Sequence, residues 1–148
     1  MDNAETRGGE ESKPLREGLK AGDGAVREVA AFALDQGSGG RAGVPVTLLT
    51  SMEGRRGSLQ RFESHKCCAD DIGTMLFENA NVHSIGILDL RLFNLDRHGG
   101  NILVDETNRL IPIDHGLSLP PIDFLGEAEF GWINWRQAKV PFSSETLD

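Results

Sequence analysis

The sequence predicts a single α+β domain of ordinary size. Two segments, residues 25–36 and 82–94, carry apolar side chains at helical spacing. Short apolar segments rich in β-branched residues lie between polar turns, which is typical of strands. The chain has 148 residues, of which 39% are apolar and 18 are glycine, so it can bury one core but is rich in loops.

The charge balance, the N-terminus and the cysteines argue against a nucleic-acid-binding, secreted or membrane-spanning protein. The chain has 15 Lys and Arg against 23 Asp and Glu, and this net charge of −8 argues against a general nucleic-acid-binding protein. It contains no run of about 18 apolar residues, and its N-terminus is charged where a signal peptide would be apolar. Cys67 and Cys68 are neighbours with poor disulfide geometry, which indicates reduced thiols. We therefore expect a cytoplasmic protein.

The N-terminal part predicts one helix and one strand. Residues 1–17 combine glycine with many charges and few large apolar side chains, so we expect them to be disordered. Asp23 is expected to cap the first helix, and Gly37 to end it. Residues 44–51 are apolar and β-branched and predict a strand. After a polar turn, Ser58 is expected to begin a short helix.

The C-terminal part predicts helices around a β-hairpin. Residues 70–80 and 127–138 are expected to be helical, and residues 82–94 to form a buried helix, although their periodicity also allows a strand. Residues 101–105 and 109–114 predict two short strands joined by a polar turn.

Two motifs close to this hairpin carry the chemistry: DRHGGN at residues 96–101 and DHG at residues 114–116. If residue numbers of paired positions sum to about 215, Asn101 lies opposite Asp114. Asp96 precedes Asn101 on a glycine-rich turn that can fold over the same end. Carboxylate and amide oxygens suit Mg²⁺, and this is the arrangement of kinase-type phosphoryl transfer. The competing explanation is turn chemistry, because Asp and Asn are common in loops.

Neighbouring side chains could assist the transfer. Arg97 and His98 could supply positive charge or a proton near the transferred phosphate. His98 could equally be a loop histidine bonded to the backbone. His115, in the middle of the DHG motif, is expected to be structural because Asp114 beside it already offers a metal ligand.

These motifs make the sequence recognisable. GILDLRLFNLDRHGGNILV and LIPIDHGLSLP strongly resemble the catalytic and metal-binding segments of the phosphatidylinositol 3-/4-kinase superfamily. The closest likeness is to the plant type II phosphatidylinositol 4-kinase gamma group. The resemblance extends over roughly residues 18–143, and its DRHxxN and DHG motifs are its most specific part.

The resemblance implies a partial bilobal protein-kinase-like fold. Residues 18–57 would be a remnant of the small N-lobe, and residues 58–148 the C-lobe core with a β-hairpin that carries the metal site. Neither a glycine-rich phosphate loop nor an apolar strand with the ATP lysine is evident before Glu28. The chain is also shorter than such kinase domains, so we expect a truncated copy.

The resemblance also implies roles for individual residues. Asp96 would be the catalytic residue, with Arg97 and His98 in the same loop, and Asn101 and Asp114 would bind Mg²⁺ and ATP. Glu28 would be the partner of a lysine that contacts the ATP phosphates, and Lys13 is the candidate for that lysine. The alternative for Glu28 is a solvent-facing charge on its helix.

The implied activity is transfer of the ATP γ-phosphate to the inositol 4-hydroxyl of phosphatidylinositol by a peripheral membrane protein. Because the acidic excess disfavours an anionic membrane, local basic residues must offset it. The candidates for that role are Arg55, Arg56, Arg61 and Lys66. Two alternatives remain open: phosphorylation of Ser or Thr in protein substrates, and an inactive pseudokinase fragment that acts as a binding module.

Overall fold

Helices and two small antiparallel sheets make up the computed structural model, which describes residues 19–20 and 22–147. The prediction of a mixed helix and sheet domain is confirmed. The expected disorder of residues 1–17 and the candidate Lys13 lie outside the described residues.

The first helix, α1, spans Gly24–Gly37 and ends at the glycine that the sequence predicted. Asp23 occupies the N-cap position, but its side chain makes no capping hydrogen bond. Near the other end, the buried carboxylate of Asp35 fixes the glycine-rich loop that follows the helix. It accepts three backbone N–H groups at 2.9–3.0 Å, from Ala42, Gly43 and Val44.

A two-stranded hairpin packs against α1. Strands β1 (Thr47–Met52) and β2 (Arg55–Gln60) are antiparallel and are joined by a two-residue turn at Glu53 and Gly54, both with positive φ. The predicted short helix from Ser58 is wrong, because pairing with β1 overrides the local preference of this segment. The expected boundary between residues 57 and 58 therefore falls inside β2.

The second sheet carries the predicted hairpin. Its strands are β3 (Cys67–Cys68), β4 (Ile102–Val104) and β5 (Leu110–Pro112), antiparallel in that order. The predicted register is wrong by one residue, because Ile102 pairs with Pro112. Asn101 consequently lies opposite Ile113, whose N–H donates to the Asn101 carbonyl at 3.0 Å.

The buried helix predicted for residues 82–94 is confirmed as α2, which spans Asn79–Leu92. The helices predicted at residues 70–80 and 127–138 are wrong, because both segments fold mainly as short 3₁₀ turns. Tertiary hydrogen bonds favour those turns: the buried Gln137 amide donates to the carbonyls of Thr74 and Phe77 and so joins the two segments. A short helix, α3 (Ser144–Leu147), follows.

The apolar core lies between α1, α2 and the three-stranded sheet. It includes Ala31 of α1, the α2 residues Val82, Ile85, Leu88 and Leu92, the strand residues Ile102, Val104 and Leu110, and Trp132. The core thus holds α2 and the β4–β5 hairpin together on either side of the loop that connects them.

Candidate active site

The loop that connects α2 to β4 is shaped by Asn94. α2 is followed by Phe93, whose left-handed backbone (φ 50°) turns the chain. The fully buried Asn94 side chain then makes two hydrogen bonds: its Oδ1 accepts the Asp96 N–H at 2.9 Å, and its Nδ2 donates to the Asp114 carbonyl at 3.3 Å. Asn94 therefore joins the segments that carry two of the predicted site residues. No motif or spacing in the sequence marks this residue.

Asn101 is bound to the same loop. It is 8% exposed and ends a 3₁₀ turn over Gly99–Asn101. Its Nδ2 donates to the Asp96 carbonyl at 3.0 Å, which leaves the amide oxygen as the atom available to a cation. The structure thus brings the backbones of Asp96, Asn101 and Asp114 together through side-chain amides.

Arg97 is buried inside the protein, where its side chain binds the loop to α2 and to the β4–β5 hairpin. Its Nε donates to both carboxylate oxygens of Asp89 on α2 at 3.1 Å. Its Nη1 donates to the carbonyls of Asn101 and Ile113 at 2.6 and 2.7 Å. Asn101 directly precedes β4 and Ile113 directly follows β5, so the guanidinium binds both strands of the hairpin at the same end. The Arg97 side chain is fully buried, so its charge serves to position the loop.

The partner of Arg97 is a buried acid with a second donor. The Asp89 carboxylate also accepts the Trp132 indole N–H at 2.9 Å. Burial raises the pKa of Asp89, while the charge of Arg97 and the hydrogen bonds from Arg97 and Trp132 act to lower it. Neither Asp89 nor Trp132 was predicted as part of this site, since no spacing in the sequence signals a buried ion pair.

Asp114 is exposed and has a left-handed backbone (φ 55°), which is unfavourable for a residue other than glycine. Glu28 of α1 holds the next residue: its Oε1 accepts the His115 N–H at 2.7 Å, and its Oε2 lies 3.4 Å from the His115 Nδ1. The Glu28 side chain is only 16% exposed, so it is not a solvent-facing charge. Its neighbour Arg27 donates to the carbonyls of Ser118 and Leu119.

His98 lies on the open side of the loop. Its side chain is 57% exposed, and its Nδ1 is 3.9 Å from the Asp70 carboxylate. It borders a cavity of about 140 Å³ that is lined by Leu95, Asp96, Arg97, His98, Glu129 and Gly131. A larger cavity of about 520 Å³ lies elsewhere, between α1, α2 and α3, and none of the predicted site residues lines it.

Comparison with known proteins assigns the family. A family model described as phosphatidylinositol 3- and 4-kinase matches residues 15–148. The chain belongs to this family. Phosphatidylinositol 4-kinases gamma 7 and gamma 4 of Arabidopsis thaliana are each 40% identical to it over 90% of its length, and gamma 4 of Oryza sativa subsp. japonica is 40% identical over 89%.

The chain spans about a quarter of the length of these phosphatidylinositol 4-kinases, between 24% and 28% of each. No solved structure matches it. Among the described helices, none has the length and apolar character needed to cross a membrane.

The donor set of this phosphatidylinositol kinase family member fits Mg²⁺ in the company of nucleotide phosphates. Asp114 offers a carboxylate and Asn101 an amide oxygen, and Mg²⁺ is commonly bound by one or two such ligands plus phosphate oxygens and waters. Among the described residues, 19–20 and 22–147, no group of three or more His, Cys, Asp or Glu side chains is placed to hold a metal ion. A cation bound by Asn101 and Asp114 would therefore need further ligands from outside the described side chains.

Proposed function

We propose that this chain is the catalytic part of an ATP-dependent phosphatidylinositol 4-kinase that transfers the γ-phosphate to the inositol 4-hydroxyl of phosphatidylinositol. The observation that carries the proposal is the Asn94 amide, which joins the Asp96 and Asp114 segments in a member of this family. The names of its plant relatives support the lipid acceptor.

The proposed roles follow the chemistry of the side chains. Asn101 and Asp114 would hold Mg²⁺ against the ATP phosphates, where the cation would offset the negative charge that develops during transfer. Asp96 orients the acceptor hydroxyl and accepts its proton as the new P–O bond forms and the bond to the ADP oxygen breaks.

Two neighbouring residues support the transfer in this proposal. Arg97 keeps the loop in place through its buried contacts with Asp89 and the hairpin carbonyls. His98 borders the 140 Å³ cavity beside Asp96, and its imidazole is proposed to donate a hydrogen bond to the phosphate there. A pair between Glu28 and Lys13 at the ATP phosphates stays a prediction, since Lys13 lies outside the described residues.

Contact with the membrane is proposed to involve the β1–β2 hairpin. Of the four basic residues named from the sequence, Arg61 is paired with Glu63 and Lys66 donates to Asn108. Arg55 and Arg56 are exposed, and their side chains form no hydrogen bond or ion pair with any residue that the structure describes. Exposed apolar side chains lie on the same hairpin: Leu48, Met52 and Leu59. Arginine next to apolar surface suits an anionic lipid interface.

The proposal is tested by phosphate transfer from radiolabelled ATP to phosphatidylinositol in mixed micelles with Mg²⁺. The full chain should phosphorylate the 4-position, and Asp114→Ala should abolish the transfer because a metal ligand is lost. Asp123→Ala, a matched change at an exposed carboxylate, should keep full activity.

Three outcomes would contradict the proposal or part of it. Equal activity of the Asp114→Ala and wild-type chains would remove the metal role of Asp114. Labelling of a generic protein in place of lipid would favour the protein kinase alternative. Mg-ATP binding without transfer to either acceptor would favour the pseudokinase alternative.

A further inference from the structure

One peptide group in the DHG motif is held from both sides. The peptide between Asp114 and His115 contributes the Asp114 carbonyl and the His115 N–H. The carbonyl accepts a hydrogen bond from the buried Asn94 amide, and the N–H donates to Glu28 of α1. A peptide group with both polar atoms bound to rigid neighbours cannot rotate freely, so the backbone on either side is fixed.

The fixed peptide explains how Asp114 keeps its left-handed conformation. A φ of 55° costs free energy at an aspartate and persists only where surrounding contacts impose it. Here the contacts come from Asn94, which binds the Asp114 carbonyl, and from Glu28 of α1, which binds the His115 N–H. The hydrogen bond from His115 to Glu28 is the shorter of the two, 2.7 Å against 3.3 Å.

α1 makes a second contact with the same segment. Arg27, next to Glu28, donates to the backbone carbonyls of Ser118 and Leu119. Two consecutive side chains of α1 therefore hold the backbone that follows Asp114. The contact sits at a helix turn, an element more rigid than a loop, which is what positioning of a metal ligand requires.

We propose that Glu28 is a positioning residue for Mg²⁺ binding, which acts by holding the Asp114–His115 peptide so that the Asp114 carboxylate is ready for the cation. This inference rests on the proposed function. This role needs a side chain at position 28 that is long enough to place an acceptor oxygen at the His115 N–H, and it does not need the negative charge of the carboxylate. It is thus distinct from an ion pair between Glu28 and a lysine, which needs the charge.

Two conservative variants separate these roles. Glu28→Gln keeps an acceptor oxygen on a side chain of the same length and removes the negative charge. Glu28→Asp keeps the charge on a side chain that is one methylene shorter, so the carboxylate lies farther from the His115 N–H. If Glu28 positions Asp114, the Asp variant loses Mg²⁺ affinity and the Gln variant keeps it. If Glu28 serves a lysine, the Gln variant loses ATP affinity. Glu106→Gln, at an exposed turn, is the control.

The experiment uses the full chain and isothermal titration calorimetry. Mg²⁺ is titrated at a fixed ATP concentration, and ATP is titrated separately with EDTA present. We expect Glu28→Asp to weaken Mg²⁺ binding by roughly 10- to 100-fold, as removal of partners that orient metal ligands does elsewhere. Binding of metal-free ATP should be unchanged in Glu28→Asp, and Mg²⁺ binding should be unchanged in Glu28→Gln.

A second measurement keeps the test independent of nucleotide. Amide hydrogen exchange at His115 should be slow in the wild type and in Glu28→Gln, and clearly faster in Glu28→Asp, because the donor loses its acceptor. Unchanged Mg²⁺ affinity in Glu28→Asp, or equal losses in both variants, would overturn the inference alone. If the wild-type chain binds no Mg-ATP, the proposed function falls and this inference falls with it.

Discussion

At the scale of single residues, the loop of the candidate site depends on a buried ion pair. Arg97 reaches Asp89 on α2 and both strand sides of the β4–β5 hairpin, with its side chain fully out of solvent. A buried charge that loses its partner is costly, because it can neither be solvated nor paired. Stability and site geometry are therefore linked through one guanidinium.

Replacing Arg97 should reveal that link. We expect Arg97→Met to lower the free energy of unfolding by about 3–5 kcal/mol, since it leaves Asp89 buried and unpaired. Urea denaturation measures the change. The double variant Asp89→Leu with Arg97→Met should recover much of the loss, and the exposed Arg136→Met should stay within about 0.5 kcal/mol of wild type. Similar losses for Arg97→Met and Arg136→Met would contradict the role of the pair.

The turn between β4 and β5 predicts a pH dependence. The Asp105 carboxylate accepts hydrogen bonds from the N–H and hydroxyl of Thr107 and from the N–H of Arg109. Slight burial acts to raise the pKa of Asp105, but these hydrogen bonds outweigh it and hold the pKa below its usual value.

A lowered pKa means that the charged carboxylate stabilises the fold. Its contribution is complete above the pKa of the unfolded chain, about 3.9 for aspartate, and is lost as the pH falls through the lower folded-state pKa. Asp105→Asn should therefore flatten the acid limb of the stability curve, measured by urea denaturation between pH 5 and pH 2.5. Glu106→Gln, in the same turn, should leave that limb unchanged, and an unchanged limb in Asp105→Asn would refute the assignment.

The sequence allowed prediction of candidate residues that belong to a recognisable motif. It did not allow prediction of residues whose role depends only on their contacts in the folded structure. The DRHGGN and DHG motifs led to Asp96, Asn101 and Asp114 as candidates. Asn94 and Asp35 were missed, although both are buried and both organise a loop. Their roles depend on backbone atoms that approach in three dimensions, and no periodicity in the chain encodes that approach.

At the scale of elements, prediction succeeded where an element has both local contacts and a regular pattern of apolar residues. α1, α2 and the β4–β5 hairpin are local, so spacing and turn residues were enough to find them. β3 was missed because its two residues pair with β4, more than thirty positions along the chain. β2 was missed because it is mostly exposed and lacks the alternation of a half-buried strand.

The β1–β2 hairpin carries a prediction about membranes. If the turn end of the hairpin, where Arg55 and Arg56 lie, approaches anionic lipid, replacing both with glutamate should weaken binding to phosphatidylserine-containing vesicles by more than about 25-fold, at about 1 kcal/mol for each basic residue near the surface. Vesicle co-sedimentation measures the affinity.

The matched control for the hairpin is the pair Arg136→Glu and Lys139→Glu, which makes the same change in net charge on a 3₁₀ turn. Equal weakening by both pairs would show that binding follows net charge and not the hairpin. Vesicles without phosphatidylinositol should give the same result, because the contact is with surface charge and not with the substrate.

At the scale of the whole molecule, the chain is a member of the phosphatidylinositol 3- and 4-kinase family whose described part is built without a three-ligand metal cluster. This predicts how removal of metal acts. EDTA should leave the melting temperature of the nucleotide-free chain unchanged. With Mg-ATP at about 100 times its Kd, the folded state should gain about 2.7 kcal/mol, and EDTA should abolish most of that gain.

Differential scanning fluorimetry with and without EDTA measures both effects. ATP without a divalent cation serves as the control for phosphate binding alone. A fall in melting temperature when EDTA is added to the nucleotide-free chain would contradict this account, because it would reveal a resident structural metal.

The contacts of the Trp132 region with the loop have a consequence for biosynthesis. Gly131 donates its N–H to the Arg97 carbonyl, and Trp132 donates to Asp89, so residues 131 and 132 close the back of the loop. Every chemically active residue named above precedes them in the sequence. During synthesis on the ribosome, these two contacts can therefore form only after residues 131 and 132 have left the exit tunnel, when every residue of the proposed site has already been made.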